Sequence, residues 1–249
     1  MTFANCYEDR TRAEAYATLE FKNTYHLAYR DLPEIVSSHV VGRKAMDFGC
    51  GTGRSSRFLR QLGFEVTGVD IAENMVRKAR ELDPTGNYRI VAGDDLSSLE
   101  SGTYDLVLAA FTFDNIAGED KVRILRDLGR ALKGAGRILL IVSRPEIYIH
   151  EWASFSTRDF PENRVAKSGD KVRIIVTDHA DARPVEDILW SDGAYRAVFE
   201  KAGLRQLQKY EPLAREDESF CWVSERQVAA WAVYVLDKDI VLRLYCNVR

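Results

Sequence analysis

The chain has 249 residues, 46% of them hydrophobic and 29% charged, which is the balance of a globular domain with ample material for a core. Its formal net charge of −3 makes nucleic-acid binding through general electrostatics unexpected. No apolar run is long enough to span a bilayer, so we predict no membrane association. The four cysteines show no close pairing, which favours a cytoplasmic protein without a metal site or disulfide framework.

The predicted elements begin with helix and then alternate. Residues 10–38 are predicted to be helical because no breaker interrupts them before Pro33. Further along, predicted strands alternate with helices, the last helix being marked by Val122, Leu125, Leu128 and Leu132 and closed by Gly134 and Gly136. The predicted strands of this stretch are residues 45–48, 65–69, 89–91, 106–109 and 138–142. Strands separated by helices imply parallel crossovers, so we predict a doubly wound, Rossmann-like α/β fold.

The alternation ends after residue 143. Two antiparallel strands at 171–178 and 185–190, a helix at 192–202, and an antiparallel pair at 204–209 and 230–236 follow, which brings the mostly parallel sheet to seven strands. We predict a single domain over residues 1–249, and no structure is assigned to its apolar tail, residues 240–249. Its predicted parts are a helical cap (1–38), a cofactor-binding core (40–142), an antiparallel lid insertion forming the acceptor pocket (143–191), and a C-terminal helix with the final strands (192–237).

A glycine loop joins the first predicted strand to the helix that follows. Gly49, Gly51 and Gly53 allow a sharp turn and close approach of a ligand beside a helix N-terminus. A dinucleotide fingerprint needs a third glycine where Arg54 stands, and Asp47 is badly placed beside a diphosphate. The loop therefore favours a ligand that carries an amine over one that carries a pyrophosphate.

Acidic residues follow the next two predicted strands. Asp70 is placed to accept from both hydroxyls of a ribose, and Asp94 or Asp95 is placed to accept from an adenine amino group. An amine beside Asp47, a ribose and an adenine together describe S-adenosylmethionine.

These residues resemble the class I S-adenosylmethionine-dependent methyltransferases, in particular their small-molecule branch. The matching segments, in chain order, are residues 46–53, 69–71, 93–94, 104–107 and 132–136. The resemblance implies that Asp47 and the glycine loop, including Cys50, hold the methionine end of the cofactor, that Asp70 with Ile71 holds the ribose and Asp94 the adenine, and that Phe111 lies beside the reacting methyl group. Relatives that methylate nucleobase amines or glutamine amides carry an Asn/Asp-Pro-Pro-aromatic tetrapeptide where this chain has residues 109–112, so such acceptors are not expected.

The resemblance also implies an acceptor pocket built after the fifth strand. His150 and His179 fall in that region and are candidate catalytic bases, with surface or hydrogen-bonded histidines as the alternative. Candidate pocket walls are Tyr148, Trp152, Phe155 and Trp190, which would otherwise belong to the core. Tyr25, in the helical cap, is a candidate for closing over the cofactor.

The predicted function is transfer of a methyl group from S-adenosylmethionine to a small-molecule acceptor. Two alternatives stay open at this stage: a methyltransferase acting on a protein or RNA side group, and a cofactor-binding protein without turnover. The methylated atom (O, N, S or C) and the oligomeric state are left open as well.

Overall fold

The computed structural model of the chain describes residues 9–92, 96 and 99–238. Seven α-helices lie within this part: α1 (Arg10–Ala17), α2 (Asn23–Arg30), α3 (Leu32–His39), α4 (Arg54–Gln61), α5 (Glu73–Leu82), α6 (Gly118–Ala131) and α7 (Asp192–Lys201). The strands of the same part are β1 (Lys44–Phe48), β2 (Glu65–Asp70), β3 (Asn87–Ile90), β4 (Tyr104–Ala110), β5 (Leu132–Ser143), β6 (Phe155–Ser156), β7 (Lys171–Val176), β8 (Val185–Ile188), β9 (Leu204–Tyr210) and β10 (Trp231–Lys238). Short 3-10 turns cover Phe113–Asn115, Pro145–Tyr148 and Pro161–Val165.

Seven strands form one sheet in the order β3-β2-β1-β4-β5-β10-β9. The first five strands in this order are parallel to one another, whereas β10 is antiparallel to both β5 and β9. The strand order reverses between β1 and β4, and ligands of such sheets bind at the carboxyl ends of the strands beside that point. The predicted fold class, a doubly wound and mostly parallel seven-stranded sheet with an antiparallel insertion after the fifth strand, is confirmed.

The sheet is buried on both faces, as β4 illustrates. Side chains alternate between the two faces of a strand. Leu106 and Leu108 accordingly pack in the core that contains residues of α2 and α3, while Val107 and Ala109 pack in the core that contains residues of α6 and α7. The same burial explains the continuous apolar run at 138–142 in β5, where each residue is at most 1% exposed.

The boundary between α6 and β5 differs from the prediction. The periodicity placed Leu132 on the helix, with Gly134 and Gly136 as its stop, but the helix ends at Ala131 and Leu132 begins β5. Leu132 is fully buried and pairs with Tyr104, and the register of the β4–β5 pair shifts between Tyr104 and Leu106. The two glycines therefore lie inside the irregular first part of a strand.

The region after β5 folds over the carboxyl edge of the main sheet. Its strands form a small antiparallel sheet in the order β6-β7-β8. Helix α1 is tied to the loop between β7 and β8 by an ion pair of 3.4 Å between Arg12 and Asp181, whose side chains are both 7% exposed. In the described part of the chain, no helix combines the length and the apolar character needed to cross a membrane.

Candidate active site

A cavity of about 620 Å³ opens at the carboxyl ends of β1, β2, β4 and β5. Residues of the cap helices and of the small antiparallel sheet form its opposite wall. We call the part beside β1 and β2 the cofactor half, lined among others by Gly51 and Asp70, and the part beside β4, β5 and the small sheet the acceptor half, lined among others by Asp114, Phe155 and Asp187. The two halves are continuous.

The glycine loop forms the floor of the cofactor half. Gly49, Gly51 and Gly53 all have positive φ (72°, 52° and 80°), a backbone conformation that other residues adopt only with strain. A Cβ on Gly49 would lie 2.2 Å from Thr112 Oγ1, so this glycine lets the turn after β4 approach β1. A Cβ on Gly51 would meet no described atom within 4 Å, so this glycine leaves open space at the cavity wall.

Asp70 ends β2 and lines the cofactor half. Its Oδ2 accepts a 2.7 Å hydrogen bond from the Gly51 amide and its Oδ1 a 2.9 Å bond from the Ala72 amide. Burial raises the pKa of the carboxyl group. Each carboxylate oxygen retains a further acceptor site, so Asp70 holds the glycine loop and can also accept from a ligand.

Asp47 lies behind the glycine loop rather than on the cavity wall. Its side chain is fully buried, and its Oδ2 accepts hydrogen bonds from the hydroxyls of Ser55 and Ser56 at 2.7 and 2.5 Å. Its Oδ1 has no hydrogen-bond partner within the described part of the chain. Burial outweighs the two hydroxyl bonds and raises the pKa of Asp47 to about 6. An unpaired buried acceptor next to a cradle with open space suits a donor supplied by a ligand.

The other residues predicted to bind the cofactor differ in whether they line the cavity. Cys50 and Ile71 line the cavity, whereas Gly53 does not, because it caps α4 against Tyr88. Asp94 and Asp95 lie outside the described residues.

An aromatic cluster lies where the two halves meet. Phe111 directly follows β4 with a positive φ of 62°, and its ring centroid lies 4.7 Å from that of Trp231 and 5.6 Å from that of Tyr25. Phe155 packs edge-on against Tyr25 and Trp231 at 5.2 and 5.5 Å. All four rings line the cavity. The roles predicted for residues 25, 111 and 155 need such a position. A non-glycine residue with positive φ is uncommon, and such strain clusters at functional sites.

Trp231 and Arg54 were not among the predicted site residues. Trp231 pairs with Ser143, so the antiparallel direction of β10 brings its first residue to the carboxyl edge of the sheet. The guanidinium of Arg54 lies 4.7 Å from the ring centroid of Tyr25 and donates to the Glu20 carbonyl at 3.0 Å. The antiparallel direction predicted for the last strand could have placed Trp231 at the ligand edge of the sheet. The position of Arg54 at the start of α4 could have predicted a cation beside the glycine loop.

Polar side chains form the far wall of the acceptor half. The Tyr148 hydroxyl donates to Asp187 Oδ2 at 2.9 Å, and the Ser143 hydroxyl donates to Asp114 Oδ2 at 2.8 Å. The amide of Asn115, oriented so that its nitrogen meets acceptors, donates to Asp187 Oδ1 at 3.0 Å. Of these five residues, only Tyr148 was singled out from the sequence.

Neither of the two predicted tryptophans lines the described cavity. Trp152 is 4% exposed, donates its indole N–H to the Ile147 carbonyl at 2.8 Å, and does not line the described cavity. Trp190 lies on the other face of the sheet, where its ring covers Gly118 and lies 4.9 Å from the Lys121 ammonium. Burial of large rings in the protein core explains both positions.

The two histidines also lie off the described cavity wall. His150 is half-buried, with its ring 6.0 Å from that of Trp152. The ring of His179 lies 5.2 Å from that of Tyr16, and burial lowers the pKa of His179. Neither ring borders the described cavity, and the catalytic role of the two histidines stays a prediction.

Comparison with known proteins points in one direction. Residues 46–140 match the family described as "Methyltransferase domain". A curated relative, the ubiquinone biosynthesis O-methyltransferase of Xanthomonas oryzae pv. oryzae, is 30% identical over 105 residues, which is 41% of this chain and 43% of that protein. The chain thus matches less than half the length of this curated relative.

Solved structures share the fold over most of the chain. An S-adenosylmethionine-dependent methyltransferase from Mesorhizobium loti is 19% identical with a TM-score of 0.59, covering 83% of this chain and 96% of its own. The CcbJ methyltransferase of Streptomyces caelestis is 18% identical with a TM-score of 0.59, covering 84% and 94%. At these identities the similarity concerns the fold.

Proposed function

We propose that this chain transfers a methyl group from S-adenosylmethionine to a small molecule, a proposal supported by the match of residues 46–140 to the methyltransferase-domain family. The observation that carries the proposal is the continuity of the cavity, whose cofactor half opens directly into an aromatic acceptor half. Its volume of about 620 Å³ is within the usual range of small-molecule pockets, roughly 300–1,000 Å³.

The residues of the cofactor half fit S-adenosylmethionine. The unpaired Oδ1 of Asp47 suits the ammonium group, and the guanidinium of Arg54 suits the carboxylate. Asp70 has acceptor sites left for the ribose hydroxyls. Asp94 and Asp95 stay our candidates for the adenine, on the resemblance alone.

When bound, the cofactor supplies an electrophilic methyl group on a positively charged sulfur. The chain's own part is to align the acceptor with that methyl group and to exclude water. Phe111, Trp231 and Phe155 are buried or half-buried rings between the two halves, and they offer an apolar environment that suits a reaction in which charge disappears.

The burial of the aromatic rings in the acceptor half favours a small molecule over a protein or RNA side group. Tyr148, Phe155 and Trp231 are each at most 4% exposed, and the small sheet lies over them. A macromolecule would have to present its side group through this cover. The curated relatives are named as O-methyltransferases, which supports oxygen as the methylated atom.

Calorimetric titration with S-adenosylmethionine, S-adenosylhomocysteine and NAD tests the cofactor. We expect both sulfur compounds to bind and NAD to show no useful affinity, because Arg54 stands where a dinucleotide site needs glycine. Tighter binding of NAD would overturn the assignment. Binding of S-adenosylmethionine with no transfer to any member of a broad acceptor panel would favour a cofactor-binding protein without turnover.

A further inference from the structure

The polar wall of the acceptor half contains two buried carboxyl groups. Asp114 lies in the turn after β4 and is 4% exposed, and Asp187 lies in β8 and is 7% exposed. Both line the cavity. The carboxyl ends of β4 and β5 meet at this wall, one strand position away from the glycine loop at the end of β1.

The two carboxyl groups differ in how their oxygens are used. Asp187 accepts from a different side chain at each oxygen, from Tyr148 at Oδ2 and from Asn115 at Oδ1. Within the described residues, Asp114 accepts only from Ser143, through a 2.8 Å hydroxyl bond to Oδ2 and amide bonds of 3.1 Å to Oδ1 and 3.3 Å to Oδ2. Asp187 is therefore anchored at both oxygens by side chains, whereas Asp114 Oδ1 receives a single backbone hydrogen bond and has acceptor capacity left.

A buried lysine lies next to this pair. Lys121 in α6 is fully buried, donating to the carbonyls of Phe113 and Ile116. Burial, reinforced by the charge of Asp187, raises the pKa of Asp114, while burial lowers the pKa of Lys121 against the attraction of both carboxylates.

We propose that Asp114 is the catalytic proton acceptor for a neutral hydroxyl group on the methyl acceptor, and that Asp187 is a positioning residue that adjusts the basicity of Asp114. The proposal rests on the proposed function and names its substrate class: an apolar or aromatic compound that bears a hydroxyl group. The apolar rings hold its framework, and Asp114 receives its O–H group.

The transfer step balances. The acceptor O–H bond breaks and its proton bonds to the Asp114 carboxylate, while the oxygen's electron pair forms the new bond to the methyl carbon. The electron pair of the carbon–sulfur bond stays on sulfur. The positive charge of the sulfur and the negative charge of Asp114 both disappear, and the proton of Asp114 returns to solvent as the products leave.

The pH dependence follows from the groups around Asp114. These are Asp187 of β8, Lys121 of α6, Tyr148 of the turn after β5, and Tyr195 of α7. The base must be ionised, so turnover should fall as the pH drops through the pKa of Asp114. Removing the charge of Asp187 lowers that pKa and should move the acidic limb of the pH profile to lower pH.

The experiment uses the full chain, a panel of hydroxyl, amine and thiol compounds on benzene and alkyl frameworks, and the variants Asp114→Asn, Asp187→Asn and Asp237→Asn. Catechol is the probe that needs deprotonation, and 4-nitrocatechol is the matched probe that is largely ionised in mildly alkaline buffer. We expect Asp114→Asn to lower kcat for catechol by about 100-fold or more but for 4-nitrocatechol by less than about tenfold. Asp237 of β10 pairs with Arg205 of β9 away from the cavity, so Asp237→Asn is the control and should leave both rates unchanged.

The outcomes separate the proposals. Catechol turnover by Asp114→Asn within a few-fold of the parent, or an acidic limb that Asp187→Asn does not move, would overturn the role of Asp114. Methylation of amines or thiols but of no hydroxyl compound would overturn this inference and leave the proposed methyl transfer intact. Cofactor binding without transfer to any compound would overturn the proposed function, and this inference with it. If Asp114→Asn fails to bind cofactor, the shift in Asp187→Asn decides.

Discussion

The two halves of the cavity are built in different ways. The cofactor half comes mainly from one stretch of chain, from Asp47 to Ile71, at the ends of two adjacent strands. The acceptor half gathers residues from the turn after β4, the end of β5, β8 and the start of β10, which are up to about half the chain apart. The first half is a local structure with its own backbone requirements, and the second exists only once the domain has folded.

This difference is visible in the type of residue that each half uses. Gly49 and Gly51 have the positive φ that this tight loop requires. A sequence that forms the loop therefore shows glycines at these positions. Asp114 and Asp187 place carboxyl groups on the wall of the acceptor half. Such a group could come from many positions of the chain, so no local sequence pattern marks it. Variants that address one half at a time test whether the halves are also separable in function.

The largest effect is expected for Trp152→Ala, which tests the border between the acceptor half and the core. Trp152 is 4% exposed and hydrogen-bonded through its indole, so its removal should cost about 3–5 kcal/mol of folding free energy. Chemical unfolding followed by circular dichroism measures this loss. Trp152→Phe, which keeps most of the ring volume, is the matched variant and should lose clearly less.

The opposite result would place Trp152 in the acceptor half instead of the core. If Trp152→Ala keeps its stability but loses affinity for the methyl acceptor, then Trp152 belongs to the acceptor half after all.

A smaller effect, confined to the cofactor half, is expected for Asp70→Ala. A hydrogen bond to a charged group contributes roughly 1.5–3 kcal/mol, so losing the ribose contacts should weaken S-adenosylmethionine binding by at least about tenfold. The Gly51 amide also loses its 2.7 Å partner, which adds to the loss. Calorimetry measures the affinity. Glu73→Ala removes an acid from an exposed position at the start of α5 and should leave the affinity unchanged.

The affinity of Asp70→Ala also tests the independence of the halves. A folded variant with unaltered cofactor affinity would contradict the assignment of Asp70. A variant whose saturating rate with acceptor falls as much as its cofactor affinity would show that the two halves act as one unit.

Much of the fold was predictable from local patterns. The continuous apolar run at 138–142 predicted a strand buried on both faces, because side chains on either face meet a core. The end of α6 was not predictable by periodicity, since Leu132 is apolar and in phase with the helix yet pairs with Tyr104. Strand pairing across some thirty residues overrode the local signal there.

The candidate site divides in the same way. The glycine loop and Asp70 could be predicted from the sequence, because each lies at the carboxyl end of a strand and these ends lie at the ligand edge of the sheet. For Trp152 and Trp190 the sequence does not distinguish a pocket wall from a core, because an aromatic residue in an insertion has the same composition signal in both. Asp114 was overlooked because its role depends on Asp187, which comes near it only through the small antiparallel sheet.

The smallest expected effect is a pH dependence that belongs to the cofactor half alone. Burial raises the pKa of Asp47 to about 6, so its carboxyl group takes up a proton as the pH falls below that value. The protonated form no longer offers a negative charge to the cofactor's ammonium group. Affinity for S-adenosylmethionine should therefore fall with decreasing pH below about 6, by at most about tenfold for each pH unit.

The stability of the ligand-free protein should change in the opposite direction. The folded state binds this proton more tightly than the unfolded chain, so Asp47 contributes stability that is present at low pH and is lost as the pH rises through about 6. Asp47→Asn keeps the shape of the side chain and cannot titrate. Relative to this variant, the parent should gain thermal stability without cofactor between about pH 6 and pH 4 while losing affinity over the same range. Thermal unfolding and calorimetry of both proteins across that range measure the two changes. Parallel curves for parent and variant would mean that Asp47 does not titrate in this range.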